Sequence, residues 1–354
     1  MTSWKILPDN IYEARMAGCT LGGALSVACF IPGAVAVVHA PQGCVHQTFS
    51  MLHAMANESE VWTVPEILVS DIGDREVIFG GEERLSAVLD VAAEKNPDLI
   101  LVVTSCVPET IGDDCGAVCA RHLYADRIVY VPTSGFLGGS AKDGENAVLA
   151  ALAVRAPVCD PVPGTVALVG EKNLESEADQ NYAEVERLLA RLGLRVCVRF
   201  CRNCTYATLM QLGTAACFVL RDERAADAGK VIADRFGRPV IPEFPRGLSG
   251  CLAFLRAVGT ACGVSEEKIE AAVSAESAYQ DAMLAKFSPL SGTTVFLGAE
   301  PFAGTLAVAR EAAARLGMRE DANGTEVRLP FYLPVGTAGV EKMLYLWRRS
   351  VRYG

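Results

Sequence analysis

From Met16 to Asn57 the chain carries no Asp, Glu, Lys or Arg. Such a stretch has to leave water, either into a membrane or into a protein core. A spanning helix needs roughly 20 uninterrupted apolar residues. Here Pro32-Gly33 breaks the run and Pro41-Gln42-Gly43 ends its second half. The expected pieces are a short buried helix, Leu21 to Phe30, and a buried strand, Ala34 to Ala40; no membrane span is predicted. The start, MTSWKILPDNIYEARM, has no apolar region behind a basic one, so no signal peptide is expected.

Strand and helix patterns alternate after that strand. Arg84 to Lys95 reads as an amphipathic helix, Leu99 to Thr104 as a continuous apolar strand, Ile111 to His122 as a helix and Ile128 to Val131 as a strand. Prolines and glycine at Pro157, Pro161, Pro163 and Gly164 mark a linker. Beyond it come strands Val166–Val169, Val196–Phe200, Ala216–Leu220 and Pro239–Ile241, with helices Glu175–Leu192, Tyr206–Leu212, Ala225–Phe236, Leu248–Cys262 and Glu266–Phe287. A short last unit begins with strand Thr294–Leu297 and helix Ala303–Leu316, and ends in a helix from Val340. This alternation predicts an α/β protein of stacked Rossmann-like domains with parallel sheets covered on both faces. The expected division is 1–160, 161–290 and a shortened third domain, 291–354.

The composition narrows the function. With 354 residues, 51% of them hydrophobic, the chain has ample material for buried cores. A net charge of -10 argues against nucleic acid as a partner, because phosphates call for a basic face. The thirteen cysteines are odd in number and far too sparse for a small disulfide scaffold. A reducing, cytoplasmic setting is expected, in which cysteines are core fillers, metal ligands or redox groups.

In open parallel sheets ligands bind beyond the carboxyl ends of strands. Strand Ala34–Ala40 runs into Cys44, strand Leu99–Thr104 runs into Ser105-Cys106, and Cys19 follows Gly18 just before the uncharged helix. Thiolates flanked by glycine and by helix N-termini suit a soft metal cluster, because backbone N–H groups and helix dipoles offset its negative charge. The spacing, Cys-x24-Cys-x61-Cys, is unlike the compact runs of ferredoxins or zinc ribbons, and three buried thiols fit it too.

The surrounding runs carry more. GCTLGGALSVACFIPGAVAVVHAPQGC (Gly18–Cys44), EVIFGGEERL (Glu76–Leu85) and VVTSCVPETIGDD (Val102–Asp114) resemble the nitrogenase component 1 family. VALVGEKN (Val166–Asn173), ATLMQLGTAACFVL (Ala207–Leu220) and RFGRPVI (Arg235–Ile241) resemble its second domain. The likeness spans most of residues 15 to 300. It implies that Cys19, Cys44 and Cys106 ligate an iron–sulfur cluster at a subunit interface, either a four-iron, four-sulfur cluster or a larger one shared between subunits. It also implies two partners: a homodimeric, ATP-hydrolysing iron–sulfur reductase that delivers electrons, and a second component 1-like subunit, identical or homologous. The family holds the nitrogenase subunits, their cofactor-assembly scaffolds, the light-independent protochlorophyllide and chlorophyllide reductases and a nickel-tetrapyrrole reductive cyclase. The resemblance places nitrogenase's cofactor-anchoring cysteine near Asp222, and the last histidine here is His122, so both anchors of that cofactor are missing. With only 61 residues from Thr294 onward, the expected function is reduction of an unsaturated organic substrate, a tetrapyrrole being the expected class. The alternatives are a non-catalytic scaffold for a nitrogenase-type metallocluster and a cluster-free binding protein.

Other residues are candidates against plainer readings. His46, two residues after Cys44, is a candidate substrate-cavity residue or a turn cap. Cys201-Arg202-Asn203-Cys204 follows a strand, so Cys201, Arg202 and Cys204 are candidates for the same cavity or a loop with semi-buried thiols. Cys115 and Cys119 share a helix face and read as packing; His39 and His53 read as structural; Glu109, Asp113 and Asp114 read as helix caps. Gly135-x2-Gly138-Gly139 lacks the Lys-Ser/Thr of a phosphate loop, so ATP hydrolysis is assigned to a separate partner.

Overall fold

The computed structural model describes residues 18–58, 66–135, 139–298 and 304–353. The opening segment and Gly138 of the glycine-rich motif lie outside them. No helix among the described residues is long and apolar enough to cross a membrane.

The uncharged run divides as its proline-glycine breaks require. Helix α1 (Thr20–Ala28) has no polar side to turn outward, and all nine of its residues are buried. After it come β1 (Ala34–His39), α2 (Gln42–Glu58), β2 (Ile67–Val69), α3 (Asp74–Phe79), α4 (Glu82–Glu94), β3 (Leu99–Thr104), α5 (Cys106–Ile111), α6 (Cys115–Arg121), β4 (Ile128–Val131) and α7 (Ala141–Arg155). The strands form a parallel sheet in the order β2-β1-β3-β4. Alternate strand residues serve opposite faces. Ala36, Val38, Leu101 and Val103 pack with α1 and α7, while Val35, Val37, Ile100 and Val102 pack with α4 and α6.

Two helices approach to backbone contact on the first face. A Cβ at Gly23 of α1 would lie 1.8 Å from the Ala141 carbonyl oxygen, and one at Gly144 of α7 would lie 1.9 Å from that of Thr20. The expected helix over Ile111–His122 is the shorter α6, and a separate helix, α5, ends at Ile111. Pro108 is tolerated in the first turn of α5, Gly112 ends that helix in the left-handed region at φ +83°, and Asp114 starts the next by accepting from the Ala117 N–H at 2.9 Å.

The chain continues through β5 (Thr165–Val169), α8 (Ala178–Arg191), β6 (Arg195–Phe200), α9 (Tyr206–Leu209), β7 (Cys217–Leu220), α10 (Ala226–Phe236), β8 (Val240–Ile241), α11 (Gly247–Ala261), α12 (Glu266–Ala285), β9 (Thr294–Phe296), α13 (Thr305–Arg315), β10 (Arg319–Glu320), β11 (Thr325–Glu326) and α14 (Gly336–Tyr353). A second sheet has the order β6-β5-β7-β8, and a third, parallel one has the order β10-β9-β11. Each of the three expected segments thus carries one sheet, yet the chain packs as two compact units. The first is Met1–Val162 with Ala167–Ala178 and Cys197–Pro242; the second is Pro163–Val166 with Asp179–Val196 and Glu243–Gly354. Apolar residues of the second sheet and of α10, including Val169, Phe200, Phe218 and Ile232, join the core of the first unit. In the second unit, Leu248, Met283, Phe287 and Trp347 close around the third sheet.

The carboxyl end of β1 is held by a buried polar network. His39 is fully buried; its Nδ1 lies 2.8 Å from Ser70 Oγ and its Nε2 lies 3.1 Å from Asp113 Oδ2. Ser70 Oγ accepts from the Ala40 N–H, so its own proton points to Nδ1 and the neutral ring carries its proton on Nε2. Asp113 also accepts from the Gly81 N–H at 3.0 and 3.1 Å. A Cβ at Gly81 would lie 2.8 Å from Asp113 Oδ2 and 3.0 Å from His39 Cε1, which accounts for a glycine there. The network ties β1, the residue after β2, the turn before α4 and the turn after α5.

Two outcomes follow from this packing. Gly144→Ala drives a methyl group into the Thr20 carbonyl and should lower unfolding free energy by about 3 kcal/mol, the upper end for overpacking, read by urea denaturation. Burial holds the His39 pKa below its usual value, with Asp113 opposing. The unfolded chain therefore binds the extra proton first, and this contribution to stability is present at pH 8 and lost as pH falls through about 6.5. The difference in stability between the native chain and His39→Gln should shrink on acidification by no more than about 1.4 kcal/mol per pH unit.

Candidate functional site

The order β2-β1-β3-β4 reverses direction between β1 and β3. In a doubly wound sheet the crevice beyond those two carboxyl ends is where ligands bind. Two cysteines follow those ends. Cys44 is the third residue of α2, after the Pro41 turn, and its N–H donates to the Pro41 carbonyl at 3.2 Å. Cys106 is the first residue of α5 and follows Ser105, whose N–H donates to the His39 carbonyl at 3.1 Å. That bond joins the end of β1 to the start of α5.

The third thiol arrives from another direction. Cys19 is the N-cap of α1, in extended conformation with φ -86° and ψ 164°. Gly18 before it has φ +75°, a conformation that disfavours any side chain, and its carbonyl accepts from the Ala141 N–H at 3.2 Å. The close crossing of α1 and α7 therefore fixes where Cys19 stands. All three sulfur atoms sit at helix N-termini, where unpaired N–H groups favour negative charge.

Cys19 and Cys106 both act on Cys44, and all three thiols are free. Cys19 and Cys44 are exposed and Cys106 is half-buried. Although the Cys44 residue is exposed, its sulfur is partly shielded. That shielding is the largest reason its pKa is raised; the charges of Cys106 and Cys19 raise it further, and Ser105 opposes from close range. Like charges gathered in this way are relieved by a cation or a cluster, and thiolates select soft metals and iron–sulfur clusters.

The neighbouring hydroxyls fit such a group. Thr20, next to Cys19, and Ser105, next to Cys106, are buried, and the oxygen of each lacks a hydrogen-bond partner among the described residues. A Cβ at Gly135 or at Gly139 would lie 2.9 Å from Thr20 Oγ1. The two glycines of the glycine-rich motif therefore leave room for that hydroxyl, a role unrelated to phosphate binding.

The other candidates are placed differently. His46 is exposed on α2, and its carbonyl accepts from Ser50 Oγ at 2.9 Å. Cys201 and Cys204, candidates for the substrate cavity or a loop with semi-buried thiols, lie in the core of the first unit at 2% exposure each. Burial pushes the Cys201 thiol well up and that of Cys204 to about 11. Arg202 is buried and donates to Asn173, whose side chain in turn donates to the Cys201 carbonyl. Cys115 and Cys119 are buried, with thiols pushed by burial to about 12 and 11, as packing residues should be.

One tighter cluster is not a metal site. Among the described residues, Glu184, Cys251 and Glu276 of the second unit have ligand atoms within 4.8 Å of one another. Their carboxylates are already engaged. Arg187 bonds both, at 2.6 to 2.9 Å, Arg191 adds a contact to Glu276 at 2.9 Å, and Thr337 donates to each carboxylate at 2.7 Å. Burial raises the Glu276 pKa, but these donors outweigh it and hold the carboxylate charged. The cluster seats the N-terminus of α14 on α8 and α12.

Comparison with known proteins bears on the chain as a whole. A family model described as nitrogenase component 1 type oxidoreductase matches residues 19–330. The nitrogenase iron-molybdenum cofactor biosynthesis protein NifE of Clostridium pasteurianum is 28% identical over 260 residues, 72% of this chain and 55% of the relative. That of Nostoc sp. is 26% identical over 295 residues, 80% and 60% respectively. The nitrogenase molybdenum-iron protein alpha chain of Methanococcus maripaludis is 26% identical over 294 residues, 76% and 59%. The solved structure of nitrogenase Cp1 at pH 5 superposes with a TM-score of 0.65 at 18% identity, covering 90% of this chain and 66% of that one, a likeness of fold. The chain spans little more than half the length of the curated relatives named here. By the extent of the matched family model, the chain belongs to the nitrogenase component 1 type oxidoreductases.

Proposed function

We propose that this chain is a component 1-like subunit that holds an iron–sulfur cluster through Cys19, Cys44 and Cys106 and passes electrons from an ATP-hydrolysing iron–sulfur reductase to an unsaturated organic substrate. The observation that carries this reading is the placement of three free thiols at helix N-termini, two of them beyond β1 and β3, with Cys19 and Cys106 both bearing electrostatically on Cys44. The bound cluster would supply one-electron chemistry at low potential. The protein's own part is to hold the thiolates and lend them N–H dipoles. The exposure of Cys19 and Cys44 supports a second component 1-like subunit, identical or homologous, that covers them.

Two features bear on partner and substrate. Helix α3 packs against α5, which begins at Cys106, and exposes Ile78 at 72% and Phe79 at 80%. Burying a side chain of that size stabilises a complex by about 1.5–3 kcal/mol, so this tip is read as the reductase contact, on a helix that packs against the one beginning at Cys106. At the position where a nitrogenase-type cofactor would need a cysteine, Asp222 pairs with Lys172 at 2.7 Å and accepts from the Arg224 N–H at 3.0 Å. A paired carboxylate there favours an organic substrate, a tetrapyrrole being the class proposed, over that cofactor.

A second reading, a scaffold for metallocluster assembly, is favoured by the cofactor biosynthesis proteins among the relatives. Turnover separates the two: an enzyme consumes ATP and reductant with a chemical product, while a scaffold releases a cluster.

Anaerobic electron paramagnetic resonance of the dithionite-reduced protein should give an iron–sulfur signal that Cys106→Ala abolishes while the fold, read by circular dichroism, persists. An unchanged signal in that variant would contradict the ligand assignment. With a reductase and ATP supplied, Phe79→Ala should slow electron uptake about tenfold, the size of a contact worth about 1.4 kcal/mol, and leave the resonance signal unaltered.

A further inference from the structure

We propose that Arg246, Gly304 and Thr305 of the second unit form a binding site for the oxyanion group of a ligand, a carboxylate or a phosphate. None of these residues belongs to the unit that carries the three thiols, so the site stands whether or not a cluster is bound there.

Its basis is a pair of donors with nothing to donate to. Among the described residues four buried side-chain polar atoms lack a hydrogen-bond partner, and two of them, Arg246 Nε and Thr305 Oγ1, belong to this one place. Thr305 is fully buried and is the first residue of α13, with Gly304 as the N-cap. Cα–Cβ bonds in a helix lean toward its N-terminus, so the hydroxyl is carried toward that end. Arg246 comes from the residue before α11. A Cβ placed on Gly304 would lie 3.4 Å from Arg246 Nη1 and 3.5 Å from Leu333 Cδ1. Gly304 sits at φ +91°, and its missing side chain leaves open the gap between guanidinium and helix end. The backbone on the other side of that gap is held in place: Arg246 forms an antiparallel bridge with Val335, and the Gly247 N–H donates to the Pro334 carbonyl at 3.3 Å.

The guanidinium fixes the sign of the ligand. Arginine only donates and is always charged, and a buried donor left unpaired is costly. The end of α13 acts in the same direction. No side chain caps it and its first turn holds no acid, while the leading N–H groups and the dipole of a helix favour negative charge. The nearby carboxylates are engaged otherwise. Glu243 pairs with Arg246 through Nη2 and leaves Nε unfilled. Glu311 accepts from the Leu248 and Ser249 N–H groups at 3.1 and 2.7 Å, and so serves the start of α11. Helix α13 follows β9, the middle strand of the third sheet, and ligands of parallel sheets bind beyond the carboxyl ends of the strands. An anion with two acceptor oxygens joins the Arg246 Nε–H to the Thr305 hydroxyl, and carboxylate and phosphate both supply them.

The test is thermal melting of the full chain, isolated anaerobically, in chloride and with inorganic phosphate or propionate added at matched ionic strength. Native protein, Thr305→Val and Arg246→Lys are compared. At least one of the two anions should raise the native melting temperature saturably beyond chloride. A response to phosphate alone assigns the site to phosphorylated ligands, a response to propionate alone assigns it to carboxylates, and a response to both assigns it to either oxyanion. Thr305→Val keeps the side-chain shape and removes only the unpaired hydroxyl. In chloride it should melt no lower than the native protein, while its Kd for the effective anion, read from the concentration dependence of the shift, should rise about tenfold. Arg246→Lys keeps the charge, loses the Nε–H and should weaken binding to a similar degree; if it fails to fold, Thr305→Val decides alone. The inference is overturned if neither anion shifts the native protein, or if either folded variant keeps the native affinity. It is overturned too if Thr305→Val melts below the native protein in chloride, since the hydroxyl would then have a partner within the chain. Each of these failures leaves the cluster reading untouched.

Discussion

The charges of Cys19 and Cys106 disfavour ionisation of Cys44, and the elements around these residues bear on that constraint. Left alone, the arrangement keeps a proton on Cys44, first because its sulfur is partly shielded from water and then because Cys106 and Cys19 stand near it. It becomes favourable only when positive charge or backbone dipoles meet the sulfur atoms. Each of the three stands at the beginning of a helix, where both the N–H groups and the macrodipole act in the needed direction. A site of this kind is assembled by elements that are far apart in sequence, so its accuracy depends on how rigidly those elements are joined.

The joints are of two kinds. One is steric: Gly23 and Gly144 let α1 and α7 touch at the backbone, so that Cys19 takes its place from a crossing that cannot slide. The other is polar: the His39, Ser70 and Asp113 network locks the end of β1 to the turns around α4 and α5. Ser105 joins the same system through its backbone. Buried polar networks that are fully paired give a single arrangement, which is what a cluster shared with a second subunit would require. The second unit uses a comparable device, with Arg187 and Arg191 against Glu184 and Glu276, but there every acceptor is filled and the result is a structural anchor.

The apolar strands were legible from residues alone. β1 and β3 read as unbroken hydrophobic runs because helices cover both faces, and the cysteines at their ends follow from that assignment. Helix α7 was not legible. Its sequence, AKDGENAVLAALAVR, carries Gly144, which weakens a helix locally and earns its place only through α1, far away in the chain. β10 and β11 are two residues each, too short and polar to leave a periodic signal. Cys201 and Cys204 read from the sequence as cavity residues or as thiols of a semi-buried loop; they are buried, in a loop where Cys201 and Asn203 take left-handed conformations that spacing does not reveal. His39 looked merely structural, and its partners, 31 and 74 residues away, could not be read from spacing. Ser105 hid for another reason: a serine before a helix reads as a cap, and only coordinates reveal one that does not cap.

Iron K-edge X-ray absorption on the anaerobically isolated protein addresses the central claim without reference to turnover or partner. The account predicts iron in a shell of sulfur with a second shell of iron at cluster distance. Iron bound by oxygen or nitrogen with no neighbouring iron, or a folded protein that holds no iron at all, would contradict it.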